Sequence, residues 1–403
     1  MSKLTIIFIL LLIVVIVVVK IRSRTDNISI NGYVTFDLHD TDKETVCVDS
    51  FHPILDTLSH GKPFRRNGTE LVTGDTTTEI VIHEIERKNP VLSKYRQATC
   101  NHFDVDACLA VWCLMNPTSS IEHKHVLIEA ARIDDIREMT LTNDRVEHPV
   151  TCKALKLCCW ITSQEQRLFW KQYEMGENEH VRCSEKFDYF LPRIGELLTL
   201  VENDHFKPGV YETVIEDIDL LYRSPTSQIE RWDEMGIVVI RVDRPLEYYA
   251  LFSCTRNADV VITIYPENKY EIECKYSQYI QMVSRDSWPR VNLQPLCDVL
   301  NMYESDNVWT TGELDALAPI MRLSREEDTE YTNKKHVDEY SGPKYRVIYS
   351  SEIPQERFLY LVRSYFKHSK IKSKRLWSWS EVHELNDAID WGKWSQNVLM
   401  EAT

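Results

Sequence analysis

The sequence has no CxxC pair, no internal repeat and no low-complexity tract, and its positive charge falls well short of its negative charge. Each absence removes a class of protein. Eleven cysteines, an odd number with one vicinal pair at Cys158-Cys159, read as reduced thiols and not as a disulfide framework. The balance of 47 Lys+Arg against 62 Asp+Glu, a net charge of -15, opposes non-specific attraction to phosphate backbones, so general nucleic-acid binding is not expected. What is left is a globular chain. Its 43% hydrophobic residues suffice for a sizeable core, and its 403 residues leave room for two domains.

The N-terminus carries the strongest physical signal. Leu4 to Val19, "LTIIFILLLIVVIVVV", is uncharged and bracketed by Lys3 and Lys20, and no A-x-A-like cleavage site follows it. The run is slightly short for a hydrocarbon core of about 30 Å, but the bracketing lysines extend its reach by snorkelling. It predicts a membrane contact through residues 4–19 in an anchor spanning 1–24. Lys20, Arg22 and Arg24 lie after the span, so a single-pass protein with a cytoplasmic body is expected. Oligomeric state is not legible.

Past the anchor, elements of both kinds alternate, which indicates the α/β class. "ETVCVDSFHP" (44–53) reads as a β-branched strand, and "TTTEIVIHEI" (76–85) has strand character. "ACLAVWCLMNP" (107–117) reads as a helix stopped by Pro117, and helices are expected over 151–175 and 185–204. "GIVVIRV" and "ADVVITIYPENKYEIECKYS" suggest further strands with a turn at Pro266-Glu267-Asn268. The expected architecture is a mainly parallel sheet flanked by helices over 25–215, a smaller α/β C-terminal domain over 216–340, and a basic, Trp-rich tail over 341–403.

The stretch "ATCNHFDVDACLAVWCL" (98–114) bears on chemistry. In a strand, residues i, i+2 and i+4 share one face, so His102, Asp104 and Asp106 would project together near its C-terminal end. Imidazole and carboxylates together suit a hard divalent cation such as Mn2+ or Mg2+. The competing reading is structural: Asp104 or Asp106 caps the following helix and His102 is a polar neighbour.

"NHFDVDACLAVW" (101–112) resembles the first motif of the DHH phosphoesterase superfamily, in which a strand ending in H/D-x-D-x-D feeds a helix of small apolar residues. More closely, residues 44–325 resemble an uncharacterised, mainly bacterial family with a DHH-like signature. The resemblance is carried by "VDSFHPILDTLSHG", "ELVTGDTTTEIV", "NHFDVDACLAVW", "LIEAARIDDIRE" and "YEIECKYSQYIQMVSRDSWPRVNLQPLCDVLNMYE". It implies a metal-dependent phosphoesterase-like hydrolase acting on a small phosphorylated substrate with a pair of Mn2+ (or Mg2+) ions. Residue by residue it implies His102, Asp104 and Asp106 as catalytic metal ligands, Asp135 as the second-motif aspartate, and Asp75 and His60 as residues that complete the site. The chain departs from the pattern in several places. Asp134 and Ala107 stand where glycines are usual, the DHH triplet is missing, and no GGGH substrate motif occurs. "ENDHF" (202–206) offers Asp204-His205, but after a helical segment.

Arg285 and Arg290 in "SRDSWPRV" are guanidiniums suited to bidentate phosphate contacts, or else partners for the surplus carboxylates. Two other classes remain open at this point. One is a non-catalytic, membrane-anchored binding or scaffold protein that keeps a degenerate fold. The other is a Cys/His nucleophilic hydrolase built on Cys100 or Cys108.

Overall fold

The computed structural model describes residues 30–61, 74–169, 182–325 and 342–400, and it builds two sheets from the alternating segments. Strands β1 (Gly32–Tyr33), β2 (Thr45–Val48), β3 (Asp56–Leu58) and β4 (Gln97–Thr99) form a parallel sheet in the order β1-β4-β2-β3. All four residues of β2 are buried, as befits a parallel strand covered on both faces. Helices α1 (Thr77–Glu86), α2 (Val105–Met115), α3 (Pro117–Glu122), α4 (Lys124–Ala131), α5 (Pro149–Phe169) and α6 (Cys183–Leu200) supply the cover. Helix α2 is apolar almost all round and buried from Val105 to Leu114, so it sits at the centre of this body instead of on its surface.

Helix α7 (Tyr211–Arg223) leads into a mixed sheet. Its strands are β5 (Gln228–Trp232), β6 (Ile237–Arg241), β7 (Val260–Tyr265), β8 (Lys269–Cys274), β9 (Val308–Thr310) and β10 (Ile320–Ser324), in the order β5-β6-β7-β8-β10-β9. Only β6 and β7 run parallel; the other pairings are antiparallel. Helices α8 (Tyr248–Leu251), α9 (Gln294–Leu300), α10 (Gln355–Ser369), α11 (Trp379–Ala388) and α12 (Trp391–Met400) complete the described chain.

The period-two rule explains how the two bodies join. On β6 and β7, Val238, Ile240 and Val261 enter the core shared with the first body, while Ile237, Val239, Ile262 and Ile264 enter a second core. Phe358, Leu361, Val362, Tyr365 and Phe366 of α10 and Trp394 and Val398 of α12 fill that second core. Each such side chain, fully buried, stabilises by about 1.5–3 kcal/mol. The basic, Trp-rich segment beyond Gly342 is thus partly interior.

Two expectations need revision. The architecture is mixed α/β with one parallel and one mixed sheet, and among the described residues no helix is long and apolar enough to cross a membrane. A fold with a transmembrane helix and a single-pass protein with a cytoplasmic body are therefore not supported; the anchor, residues 1–24, lies outside the described residues. "TTTEIVIHEI" is helical, not extended, because Thr76 caps α1 by accepting a hydrogen bond from the Glu79 amide (3.2 Å), which overrides the β-branched composition. Of the two boundaries expected in the body, 215/216 falls inside α7 and 340/341 lies outside the described residues.

Candidate metal centre

Ligands in open parallel sheets gather at the carboxyl ends of strands, and here three of those ends meet. Just past β2, Asp49 adopts a left-handed backbone (φ 52°) that its short polar side chain tolerates, and its amide donates to the Leu58 carbonyl (2.8 Å). Past β3 the chain presents His60. Past β4 it runs through Asn101 and His102 to Asp104, which caps α2 by accepting from the Ala107 amide (2.8 Å), and on to Asp106 in the first turn. Helix α4 ends in a π-helical turn, Arg132–Ile136, that carries Asp134 and Asp135. Such turns re-aim side chains and recur at functional sites.

Two trios result. Asp49, His60 and Asp106 form one, and Asp49, His102 and Asp104 the other, with the ligand atoms of each trio all within 4.8 Å of one another. Asp49 belongs to both: its Oδ1 lies 3.4 Å from His60 Nε2 and its Oδ2 lies 3.4 Å from His102 Nε2. His60 Nε2 also stands 3.7 Å from Asp106 Oδ2 and 3.2 Å from Asp135 Oδ2, and His102 Nε2 is 3.1 Å from Asp104 Oδ2. Beyond its ion pair with His60, Asp135 Oδ2 is buried and has no hydrogen-bond partner among the described residues.

The imidazoles are oriented from behind. His60 Nδ1 donates to the Asp75 carbonyl (2.6 Å), which fixes the tautomer and turns Nε2 toward the carboxylates. His102 Nδ1 donates to Asn101 Oδ1 (2.8 Å), itself held by the Ser50 hydroxyl (2.8 Å). An imidazole that gives one N–H to an oxygen acceptor and leaves its other nitrogen toward anionic ligands has the arrangement of a metal-binding histidine.

Helix α1 supports the acids. The Thr77 and Thr78 amides donate to the two Asp106 carboxylate oxygens (2.7 and 2.8 Å), and the Thr77 hydroxyl donates to Asp49 Oδ1 (2.6 Å). The "TTTE" start of α1 is thus a cradle for two acids at a helix N-terminus. Electrostatics reflect the crowding. Burial and the Asp49 charge push the Asp106 carboxyl up to about 7, and burial with like charges also drives Asp135 well up. Burial opposes a charged His60, but Asp135, Asp49 and Asp106 raise it to about 10. Burial would likewise raise Asp49, yet both imidazoles hold it well below the usual range.

This cluster opens into a cavity of 460 Å³ lined by residues of both bodies, among them Tyr248, Tyr249, Tyr276 and Tyr279. His60, His102, Asp104, Asp106 and Asp135, all picked out in the sequence, come together here. They do not do so by strand alternation, because β4 ends at Thr99 and Asp106 lies in a helix. Asp104 caps α2, as the structural reading expects, and at the same time faces His102.

Asp75 is elsewhere. Its carboxylate accepts from Arg132 and from the Val283 and Ser284 amides (2.6 and 2.9 Å), and it serves the site through its backbone carbonyl. Arg285 pairs bidentately with Asp259 and also reaches Glu138, while Arg290 is buried against the carbonyls of Leu314, Ala316, Leu317 and Lys275. Neither lines the cavity, so the structure does not bring them to the cluster. Asp204 and His205 are exposed and outside it. Cys100 and Cys108 are buried and line none of it, and burial pushes the Cys108 thiol far up, which disfavours a nucleophilic thiolate there. Sequence reasoning missed Asp49, the acid common to both trios, which directly follows the buried strand "TVCV".

Fold and site together define a mixed α/β protein with a buried carboxylate–imidazole centre at the ends of its parallel strands. The chain belongs to the family described as Family of unknown function (DUF6687), whose model matches residues 30–375. No curated protein and no solved structure matches it.

Proposed function

We propose that the protein is a metal-dependent phosphoesterase-like hydrolase acting on a small phosphorylated substrate, with Mn2+ or Mg2+ as the cofactor. The observation that carries this reading is Asp49, shared between two His/Asp trios. The donor set fits hard divalent ions: carboxylate oxygens and imidazole nitrogens, no thiolate, both histidines oriented from behind, and a buried Asp135 oxygen with no hydrogen-bond partner among the described residues. The likeness of "NHFDVDACLAVW" to a DHH-type first motif agrees with it, although the DHH triplet is missing.

Asp49, His60, Asp106 and Asp135 would hold one ion, and Asp49, His102 and Asp104 a second. Divalent ions there would supply Lewis acidity and an activated water at neutral pH. The chain's own part is positioning. The α1 amides fix Asp106, the Thr77 hydroxyl fixes Asp49, and Tyr249 donates to Asp134 Oδ1 (2.7 Å), steadying the turn that carries Asp135. Tyrosine side chains wall the cavity and limit water around a bound ester.

One observation favours a second reading, a non-catalytic binding protein: both Asp106 oxygens already accept amide hydrogen bonds, which weakens Asp106 as a donor. Hydrolysis of bis-p-nitrophenyl phosphate by the full chain separates the two. The hydrolase reading expects turnover that requires Mn2+ and disappears in Asp49→Asn. Metal uptake without turnover of any phosphate ester in a broad panel would overturn it in favour of the second reading.

A further inference from the structure

The cavity is acidic. Asp49, Asp104, Asp134, Asp135, Glu165 and Glu247 line it, and Arg137 is the sole arginine or lysine among its described lining residues. A phosphorylated ligand entering such a space needs fixed positive charge beyond any ion at the Asp49 centre. Arg285 and Arg290 cannot provide it from where they lie.

Arg137 follows directly on the π-helical turn that carries Asp134 and Asp135, with a left-handed backbone (φ 58°, ψ 42°) uncommon for a long side chain. Its carbonyl accepts from the Thr255 hydroxyl (3.4 Å). The guanidinium lies over two rings, 4.2 Å from the Tyr248 centroid and 5.1 Å from that of Phe252, and these rings stand 4.9 Å apart at 59°. Both contacts are cation–π attractions that hold the guanidinium at the cavity wall. Tyr248 also lines the cavity, and its hydroxyl is shielded from solvent without a hydrogen-bond partner among the described residues.

We infer that Arg137, held on the Tyr248 and Phe252 rings, is the clamp that binds the phosphoryl oxygens of the substrate, with the Tyr248 hydroxyl as a second donor. The nature of the anion rests on the hydrolase reading; the clamp itself rests on a guanidinium held over two aromatic rings in an acidic cavity. One turn would then present both an acid of the centre, Asp135, and the group that brings an anion to it.

Calorimetric titration of the full chain with inorganic phosphate, with and without Mn2+, tests the clamp without relying on turnover. Arg137→Gln should weaken phosphate binding about 10- to 100-fold, the range of a charge-assisted bidentate contact. Arg137→Lys, which keeps the charge and loses the fork, should fall between, and Tyr248→Phe, which keeps the ring, should lose a few-fold. Mn2+ uptake should be unchanged in all three. Should Arg137→Gln fail to fold, the other two variants carry the comparison. Phosphate affinity in Arg137→Gln and Arg137→Lys within about twofold of wild type, or no phosphate binding by the wild type, would overturn the clamp. The two readings fail separately. Phosphate binding that needs Arg137 in a chain taking up no metal sinks the metal-dependent hydrolase alone, and intact Mn2+ uptake with Arg137-independent phosphate binding sinks the clamp alone.

Discussion

The molecule buries two kinds of charge cluster, and they are built on opposite rules. Against the mixed sheet, Arg346 is fully buried and bonds Glu271 (2.7 and 3.0 Å) and Glu273 (2.9 Å). Nearby, Arg285 and Lys275 face Asp259 and Glu138. Every one of these acids has a strong base beside it. At the ends of the parallel sheet, Asp49, Asp104, Asp106 and Asp135 have only His60 and His102, and among the described residues none of the four pairs with an arginine or lysine. A balanced buried cluster joins elements together. A carboxylate-rich one, with oriented imidazoles and amides around it and no arginine or lysine among the described residues, is the kind of site that the proposed cation would complete.

Substitutions in the two clusters should differ sharply in their cost to stability and to metal uptake. Arg346→Met strands Glu271 and Glu273 in the interior and should destabilise the fold by about 3–5 kcal/mol in denaturant titration. Metal uptake of the folded fraction should not change. Asp75→Asn keeps the carbonyl that orients His60 but loses the ion pair with Arg132, so a loss of about 1–3 kcal/mol is expected with little change in metal affinity. A large fall in affinity there would move Asp75 into the centre itself. Thr77→Val deletes the hydroxyl that steadies Asp49, and should lower stability by about 1 kcal/mol and metal affinity by about tenfold. Asp104→Asn preserves the cap of α2, since Asn caps as well as Asp, so unfolding should shift by less than about 0.5 kcal/mol. The same variant should nonetheless lose the ion of the His102 trio, and the contrast between intact stability and lost metal is what separates a site from a structural acid.

Local patterns were readable where a single period or a single cap decides. The β6 strand, the β7–β8 hairpin with its turn at 266–268 and the helix ending before Pro117 follow from alternation, turn residues and proline. The α1 segment was misleading because threonine, valine and isoleucine favour strands, while its fate was set by the Thr76 cap and by Asp106, which accepts from its first two amides. At the site, the spacing of His102, Asp104 and Asp106 drew attention to the loop where the cluster lies, but for a wrong geometric reason. Asp49 was hidden because nothing local distinguishes an aspartate after a strand from any other loop acid; its role comes from β2 lying beside β4 in the sheet. The destination of arginines was no more legible: Arg285 and Arg137 are alike in sequence, and only packing puts one against Asp259 and the other over Tyr248.

The central claim is that Asp49 is common to two metal positions, and equilibrium dialysis of the full chain against Mn2+ tests it most directly. The account predicts two ions per wild-type chain, one for each trio, and loss of both in Asp49→Asn with the fold retained. A wild-type chain that binds no divalent metal, or an Asp49→Asn chain that binds as much as the wild type, would contradict it.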